Sequence, residues 1–185
     1  MTSTRVVTGK VRLSYAHLDK PYATSEGQDP KYSVTLLIPK NDTKTLDKIA
    51  KAQAAARDHF RARNPQVSFP DRPKTTLYDG DGQRSGGDDF GPECRGCMVM
   101  TVSSKDAPVL VDRDRNDIMR ATDIYSGCYG RVDMNFFAYS NSGNKGISAG
   151  LLGVQKLSDG EPLGGGERGS ADAFNDDFED DDDWM

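Results

Sequence analysis

Residues 124–139, IYSGCYGRVDMNFFAY, decide the fold. Cys128, Val132, Met134, Phe136 and Ala138 share one parity, and Tyr125, Tyr129, Arg131, Asn135, Phe137 and Tyr139 share the other. Side chains alternate across a strand, so this period of two predicts a long strand with one apolar wall. Gly127 and Gly130 sit inside it. Glycines within so long a strand mark sharp bends, such as those at barrel corners. Residues 146–157, GISAGLLGVQKL, form a final strand with the same glycine habit.

Working outward, residues 5–15 (RVVTGKVRLSY) also alternate. Val7, Val11, Leu13 and Tyr15 fall on one face, Lys10, Arg12 and Ser14 on the other, and Gly9 is a bend. Residues 16–30 carry Pro21, Gly27 and Pro30 and read as a loop. Residues 31–38 (KYSVTLLI) read as a second strand, with Tyr32, Val34, Leu36 and Ile38 on one face. A helix is predicted over 42–63, with Leu46, Ile49, Gln53, Ala56 and Phe60 in one stripe. Asp42 or Thr43 caps its start, and Asn64-Pro65 ends it. Residues 65–93, rich in Pro and Gly, predict a long irregular stretch with one short strand near 75–78. Residues 95–103 and 107–112 are further strands. Five or six curved strands with one helix predict a five-stranded barrel of the OB type, the helix lying between the second and third strands. A β-sandwich is the structural alternative.

Composition divides the chain at about residue 158. The formal charge is −5, but residues 167–185 hold nine acids against Arg168 and so carry −8, leaving +3 on residues 1–166. That segment has too few aliphatic side chains to offset the entropy of ordering. Residues 1–158 are therefore expected as the folded domain and 159–185 as an acidic C-terminal tail, disordered from about 164. No run of 18 apolar residues exists, so no membrane span is expected. The N-terminus shows no apolar core of signal-peptide length, and three cysteines are too few for a disulfide scaffold, which suits a reducing cytosol.

The tail has an unusual end. In DDFEDDDDWM, Phe178 lies within the acid run Asp176, Asp177, Glu179, Asp180, Asp181, Asp182 and Asp183, and Trp184 follows it. Solvation alone does not need an aromatic tip, whereas a ring can anchor in an apolar pocket while acids meet a basic rim. This end resembles the C-terminal tails of single-stranded DNA-binding proteins, although those commonly finish in Phe. The body extends the likeness. KYSVTLLIPK, RGCMVMTVSSKDAPVLVDRD, YSGCYGRVDMNFFAY and GNKGISAGLLGVQKLSDGEPLGGG together resemble the bacteriophage-encoded OB-fold single-stranded DNA-binding proteins. The resemblance implies sequence-independent binding of single-stranded DNA in phage replication, recombination or repair. It implies action in the cytoplasm of the infected bacterial host, and a tail that recruits replication proteins and competes with DNA. It implies no enzymatic activity and no cofactor. The helix after the second strand fits the phage subgroup; in the common OB arrangement it follows the third.

Capture of a single strand needs a basic groove for phosphates and exposed rings for bases. Lys10 and Arg12 lie on the polar side of the first strand, Lys20 and Tyr22 in the first loop, and Lys31 and Tyr32 at the start of the second strand. Arg72, Lys74, Tyr78, Arg84 and Phe90 belong to the long loop, and Arg95 follows it. Arg113, Arg115, Tyr125, Tyr129 and Arg131 belong to the later strands and their approach. Each stacked ring is worth roughly 1–3 kcal/mol. Half-buried Tyr is normal in a barrel wall, and Tyr32 shares its face with core residues. The lysines of the helix, Lys44, Lys48 and Lys51, read as a solvated face.

Other constellations are weaker. Cys94-x-x-Cys97 with Cys128 offers one close pair where a structural zinc site needs two. Asp112, Asp114, Asn116 and Asp123 match calcium-loop spacing but place Asp117 where the sharp turn needs Gly. No metal is expected. The alternatives to a binding module are a metal-dependent DNA-processing enzyme and a virion structural protein with an acidic tail. The oligomeric state stays open between monomer and homodimer.

Overall fold

The computed structural model describes residues 3–23, 27–83, 87–118, 120–141 and 143–163. In chain order the strands are β1 (Arg5–Val7), β2 (Val11–Tyr22) and β3 (Lys31–Pro39), followed by helix α1 (Thr43–Arg63). Then come β4 (Lys74–Thr75), β5 (Leu77–Asp79), β6 (Cys97–Ser104), β7 (Val109–Val111), β8 (Tyr129–Asn141) and β9 (Asn144–Ser158). The protein is mainly β with one helix.

Five long strands pair in a circuit. β2 pairs antiparallel with β3, and β3 with β6. β6 meets β9 in parallel at Ser103 and Gly150. β9 pairs antiparallel with β8, and β8 returns to β2 through Val11–Gly130 and Arg12–Tyr129. The inner face of this circuit is the core. Leu13, Leu36, Met100, Met134 and Phe136 are fully enclosed there, and each such side chain contributes roughly 1.5–3 kcal/mol by leaving water. Ile49, Ala52 and Ala56 of α1 complete the same cluster.

α1 begins where its capping chemistry dictates. The Asp42 carboxylate accepts from the Thr45 amide at 3.2 Å, satisfying one of the free amides of the first turn. Arg61 and Arg63 occupy the last turn, where cations complement the helix dipole. Asn64 closes the helix by donating its backbone amide to the Phe60 carbonyl at 2.9 Å. The apolar stripe is small and narrow, so the helix packs close, and its lysines Lys44, Lys48 and Lys51 are exposed.

Four expectations need correction. The described residues hold nine strands rather than five or six, because short pieces flank the long ones. The first predicted strand is broken at Gly9 into β1 and β2, so α1 follows the third strand by count. Gly9 sits against the helix start: its amide donates to Thr45 Oγ1 at 2.9 Å, and a Cβ there would lie 2.9 Å from the Asp42 carboxylate. The break changes parity, so Val6 is buried and Val7 exposed. Second, residues 16–22 continue as strand instead of loop. Third, Tyr15 does not share the buried face. Ser14 pairs with Thr35 and His17 with Ser33, so β2 carries one extra residue there. Such a bulge breaks the alternation, and Tyr15 stands exposed at φ 44°. Fourth, the strand read as starting near 124 begins at Tyr129, and Tyr125 precedes it. The 128–138 apolar parity holds throughout, with Cys128, Val132, Met134 and Phe136 buried.

Candidate nucleic-acid interface

The outer face of β2, β3 and β6 forms an open groove of about 730 Å³. Its floor follows from register, because directly paired residues place their side chains on the same face. One row runs Tyr129, Arg12, Leu37, Val99 and Tyr78 across β8, β2, β3, β6 and β5. The next is Ser14, Thr35 and Thr101, where the two threonine hydroxyls lie 2.8 Å apart. The third is His17, Ser33 and Ser103. The floor is therefore a strip of small hydroxyl side chains beside a short apolar patch.

Rings stand at both ends. His17 and Tyr22 stack with centroids 4.3 Å apart and planes 7° from parallel. Tyr78 and Phe90 meet at 6.4 Å in a tilted pair on the opposite wall. Tyr15 rises from the β2 bulge, on the same strand as His17 and Tyr22, with more than half of its surface exposed. Leu37, Cys94 and Val99 form a small apolar cluster under Phe90, Cys97 and Leu163. Burial, reinforced by Asp81, pushes the Cys97 thiol above its ordinary pKa.

Cations edge the face. Lys10 Nζ lies 4.9 Å from the Tyr129 ring centroid and the Arg12 guanidinium 5.7 Å from it. Arg12 also donates to the carbonyls of Gly127 at 3.2 Å and Glu161 at 2.7 Å. Lys31 pairs with Tyr22 across β2 and β3. Lys20 and Arg95 are exposed nearby in sequence, on β2 and on the turn before β6.

The expected residues thus divide. Lys10, Arg12, Tyr22, Lys31, Tyr78 and Tyr129 come together on or beside this face, with Phe90. Tyr32 has the parity of Val34 and Leu36 and lies half-buried at the inner edge. Lys74 opens β4 and Arg72 lies just before it, and β4 pairs with β9 at the far end of the sheet. Arg113 and Arg115 occupy a turn after β7, where the Asp112 carboxylate accepts from the amides of Asp114 and Asn116 at 2.9 Å each. Arg131 lines a separate depression of about 400 Å³ with Arg5, Asp133 and Leu152. Tyr125 is occupied: its hydroxyl bonds the Gly160 carbonyl at 2.9 Å and the Asp159 carboxylate at 3.2 Å. Arg84 and the tail residues 176–184 lie outside the described residues.

Residues 159–163 run along the edge of this face. Leu163 donates its amide to Ser126 at 2.8 Å and packs on the Leu37–Cys94–Val99 cluster. The last described residue therefore lies beside the groove, and the acidic segment follows it in sequence. Tyr15 and His17 line the groove without being candidates from sequence: the 16–30 stretch reads as a loop, and alternation puts Tyr15 on the face of Val11 and Leu13 until the bulge interrupts it. No three His, Cys, Asp or Glu side chains gather into a metal site among the described residues.

An open, ring-lined groove with cations at its edge belongs to a binding module for an extended ligand, not to an enclosed small-molecule pocket. The family model for the single-stranded DNA-binding protein of Enterobacter phage Enc34 matches residues 4–185, and the chain belongs to that family. It is similar to the single-stranded DNA-binding protein from bacteriophage Enc34 solved in complex with ssDNA, at 29% identity and a TM-score of 0.74, covering 87% of this chain and 90% of that one. It is 29% identical over 180 residues to putative protein p50 of Acyrthosiphon pisum secondary endosymbiont phage 1, covering 93% of each chain. The fold is also shared with gp2.5, a single-stranded DNA-binding protein encoded by bacteriophage T7, at 16% identity and a TM-score of 0.59, covering 87% of this chain and 95% of that one.

Proposed function

We propose that this chain is a sequence-independent single-stranded DNA-binding protein of a phage, serving DNA replication, recombination or repair in the cytoplasm of the infected host. The observation that carries this reading is the groove: five rings on two walls and a bulge, above a floor with no bulky side chain across its middle. Bases lie against Tyr15, Tyr22, Tyr78 and Phe90, which are sequence-tolerant because every base has a π-face. Lys10, Arg12, Lys20, Lys31 and Arg95 meet phosphates. The hydroxyls of Ser14, Ser33, Thr35 and Thr101 leave room for base edges. The strand circuit supports an OB-type barrel, whose ligands cross this same outer face.

The acidic tail is the regulatory part of the proposal. Residues 164–185 follow Leu163 at the groove's edge. A chain of that length obeying coil statistics reaches roughly 25 Å, enough to return over the groove at an effective concentration around millimolar. The tail competes with DNA there, and when DNA displaces it, Phe178 and Trp184 become free to dock on replication proteins. The test is anisotropy of a labelled oligo-dT of about 30 nucleotides and of a matched duplex, at two salt concentrations, for the full chain and for residues 1–166. Salt-weakened binding that prefers the single strand, tighter without the tail, is expected. Absence of binding by both forms would overturn the function. Equal affinity of the two forms at low salt would overturn the tail's role.

A further inference from the structure

Lys40 is a basic residue at the groove's margin whose charge is paired with two carboxylates. It stands one residue beyond β3, and its amide donates to the Gly96 carbonyl at 3.0 Å. Its ammonium lies 2.7 Å from Asp79 Oδ1 and 2.6 Å from Asp81 Oδ2. The other Asp81 oxygen accepts from the Gly96 amide at 3.1 Å, and the Asp81 amide donates to Asp79 Oδ1 at 2.9 Å. Between the two acids, Gly80 donates to the Cys97 carbonyl at 2.8 Å. It passes so close that a Cβ there would lie 2.2 Å from the Cys94 carbonyl oxygen. Tyr78 is the residue before Asp79, and its ring meets Phe90.

We infer that Lys40 is a positioning residue for DNA binding: with Asp79 and Asp81 it clasps the end of β5 to the start of β6 and so holds Tyr78 and Phe90 as the far wall of the groove. This rests on the proposed function. β5 is three residues long and pairs only through Leu77, Tyr78 and Asp79, too little to hold a stacking ring by itself. Between it and the turn at Pro92, the described residues form no further strand or helix beyond one isolated bridge, Gln83 with Asp89. The clasp and the tight Gly80 crossing supply what the short strand lacks. A ring whose orientation is set before the base arrives stacks more tightly, because less freedom is lost on binding. The ammonium, shared between two carboxylates, is not left for a phosphate.

The test compares wild type, Lys40→Met, Lys40→Arg and the triple variant Lys40→Met/Asp79→Asn/Asp81→Asn. Each is titrated with labelled oligo-dT across a salt series, after thermal melts establish that it is folded. Lys40→Met is expected to bind at least about fivefold more weakly, the scale of one weakened stack. Its slope of log K against log salt is expected to stay unchanged. Lys40→Arg should restore most of the affinity, and the triple variant should remain weak. A slope reduced by about 0.7, the value of one phosphate contact on a single strand, would make Lys40 a phosphate ligand and overturn the inference. Unchanged affinity in Lys40→Met, or full recovery in the triple variant, would also overturn it; recovery would assign the loss to repulsion from two uncovered acids. If wild type itself fails to bind, the function falls and this inference with it. Binding by wild type and equally by Lys40→Met sinks the inference alone.

Discussion

Tyr15 separates binding from stability in a way that few residues of a folded domain do. It occupies the left-handed region at φ 44°, exposed, on the extra residue of the β2 bulge. A bulky L-residue held there costs on the order of 1–2 kcal/mol. Tyr15→Gly removes that strain. It also frees the unfolded chain, at about 0.5–1 kcal/mol, and gives up little burial because the ring is mostly in solvent. The two backbone effects nearly cancel, so stability should change by less than about 1 kcal/mol and Tm by less than about 4 °C. Binding should respond very differently. Loss of one stacked base is worth roughly 1–3 kcal/mol, so affinity for oligo-dT should fall about 5- to 150-fold. Tyr15→Phe keeps the π-face and should bind within about threefold of wild type. Anisotropy titrations beside thermal melts of the three proteins make the check. Undiminished binding by Tyr15→Gly would refute the role of this ring. A Tyr15→Phe variant as weak as Tyr15→Gly would refute stacking as its mechanism.

Three further outcomes follow from the geometry. Asp42→Ala removes the cap on α1 and should cost about 1 kcal/mol, read as a Tm lower by about 2–4 °C. Its DNA affinity should be unchanged, since no described residue of α1 lines the groove. Phe136→Ala opens the core where β8 crosses it and should cost about 3–5 kcal/mol, lowering Tm by roughly 10 °C. In the third, the Lys40 hydrogen bonds hold both Asp79 and Asp81 below the ordinary carboxylate pKa. A lowered folded value means the clasp's contribution is full above the ordinary pKa and is lost only as pH falls through the lower one. Amide exchange of the 77–83 segment, corrected for intrinsic rate, should therefore stay level from pH 8 down to about 4.5. Loss of protection already at pH 6 would contradict the pairing.

Much of the fold is legible in the chain because it rests on short-range pattern. The helix bounds follow from Asp42 and from Asn64-Pro65, which act within one turn of themselves. The buried parity of 128–138 survives because burial enforces register: a slip of one residue would turn Met134 and Phe136 to solvent. Where a single extra residue enters, the pattern misleads. Alternation puts Val7 and Tyr15 on the face of Val11 and Leu13, but Gly9 and the bulge interrupt it, so both stand exposed. Candidate site residues were read from residue type and proximity in sequence. That brings together Arg12 and Tyr22, which both lie on β2, and Lys10 just before its start. It separates poorly the basic residues of other elements, such as Arg113 and Arg131, which the sheet carries to a different part of its surface.

The sequence by itself therefore determined the class of fold, the helix, the apolar walls of the long strands and the segregation of acid into the tail. These depend on periodicity, capping and net charge, which are local or additive. Only the tertiary structure decided which rings face one another, because that depends on register between strands far apart in the chain. Tyr78 opposes the His17–Tyr22 stack through pairings of β5 with β6, β6 with β3 and β3 with β2. Leu163 arrives beside them through contacts with Ser126 and the Leu37 cluster. Shifting any of these pairings by one residue would keep the composition of the chain and disperse the groove.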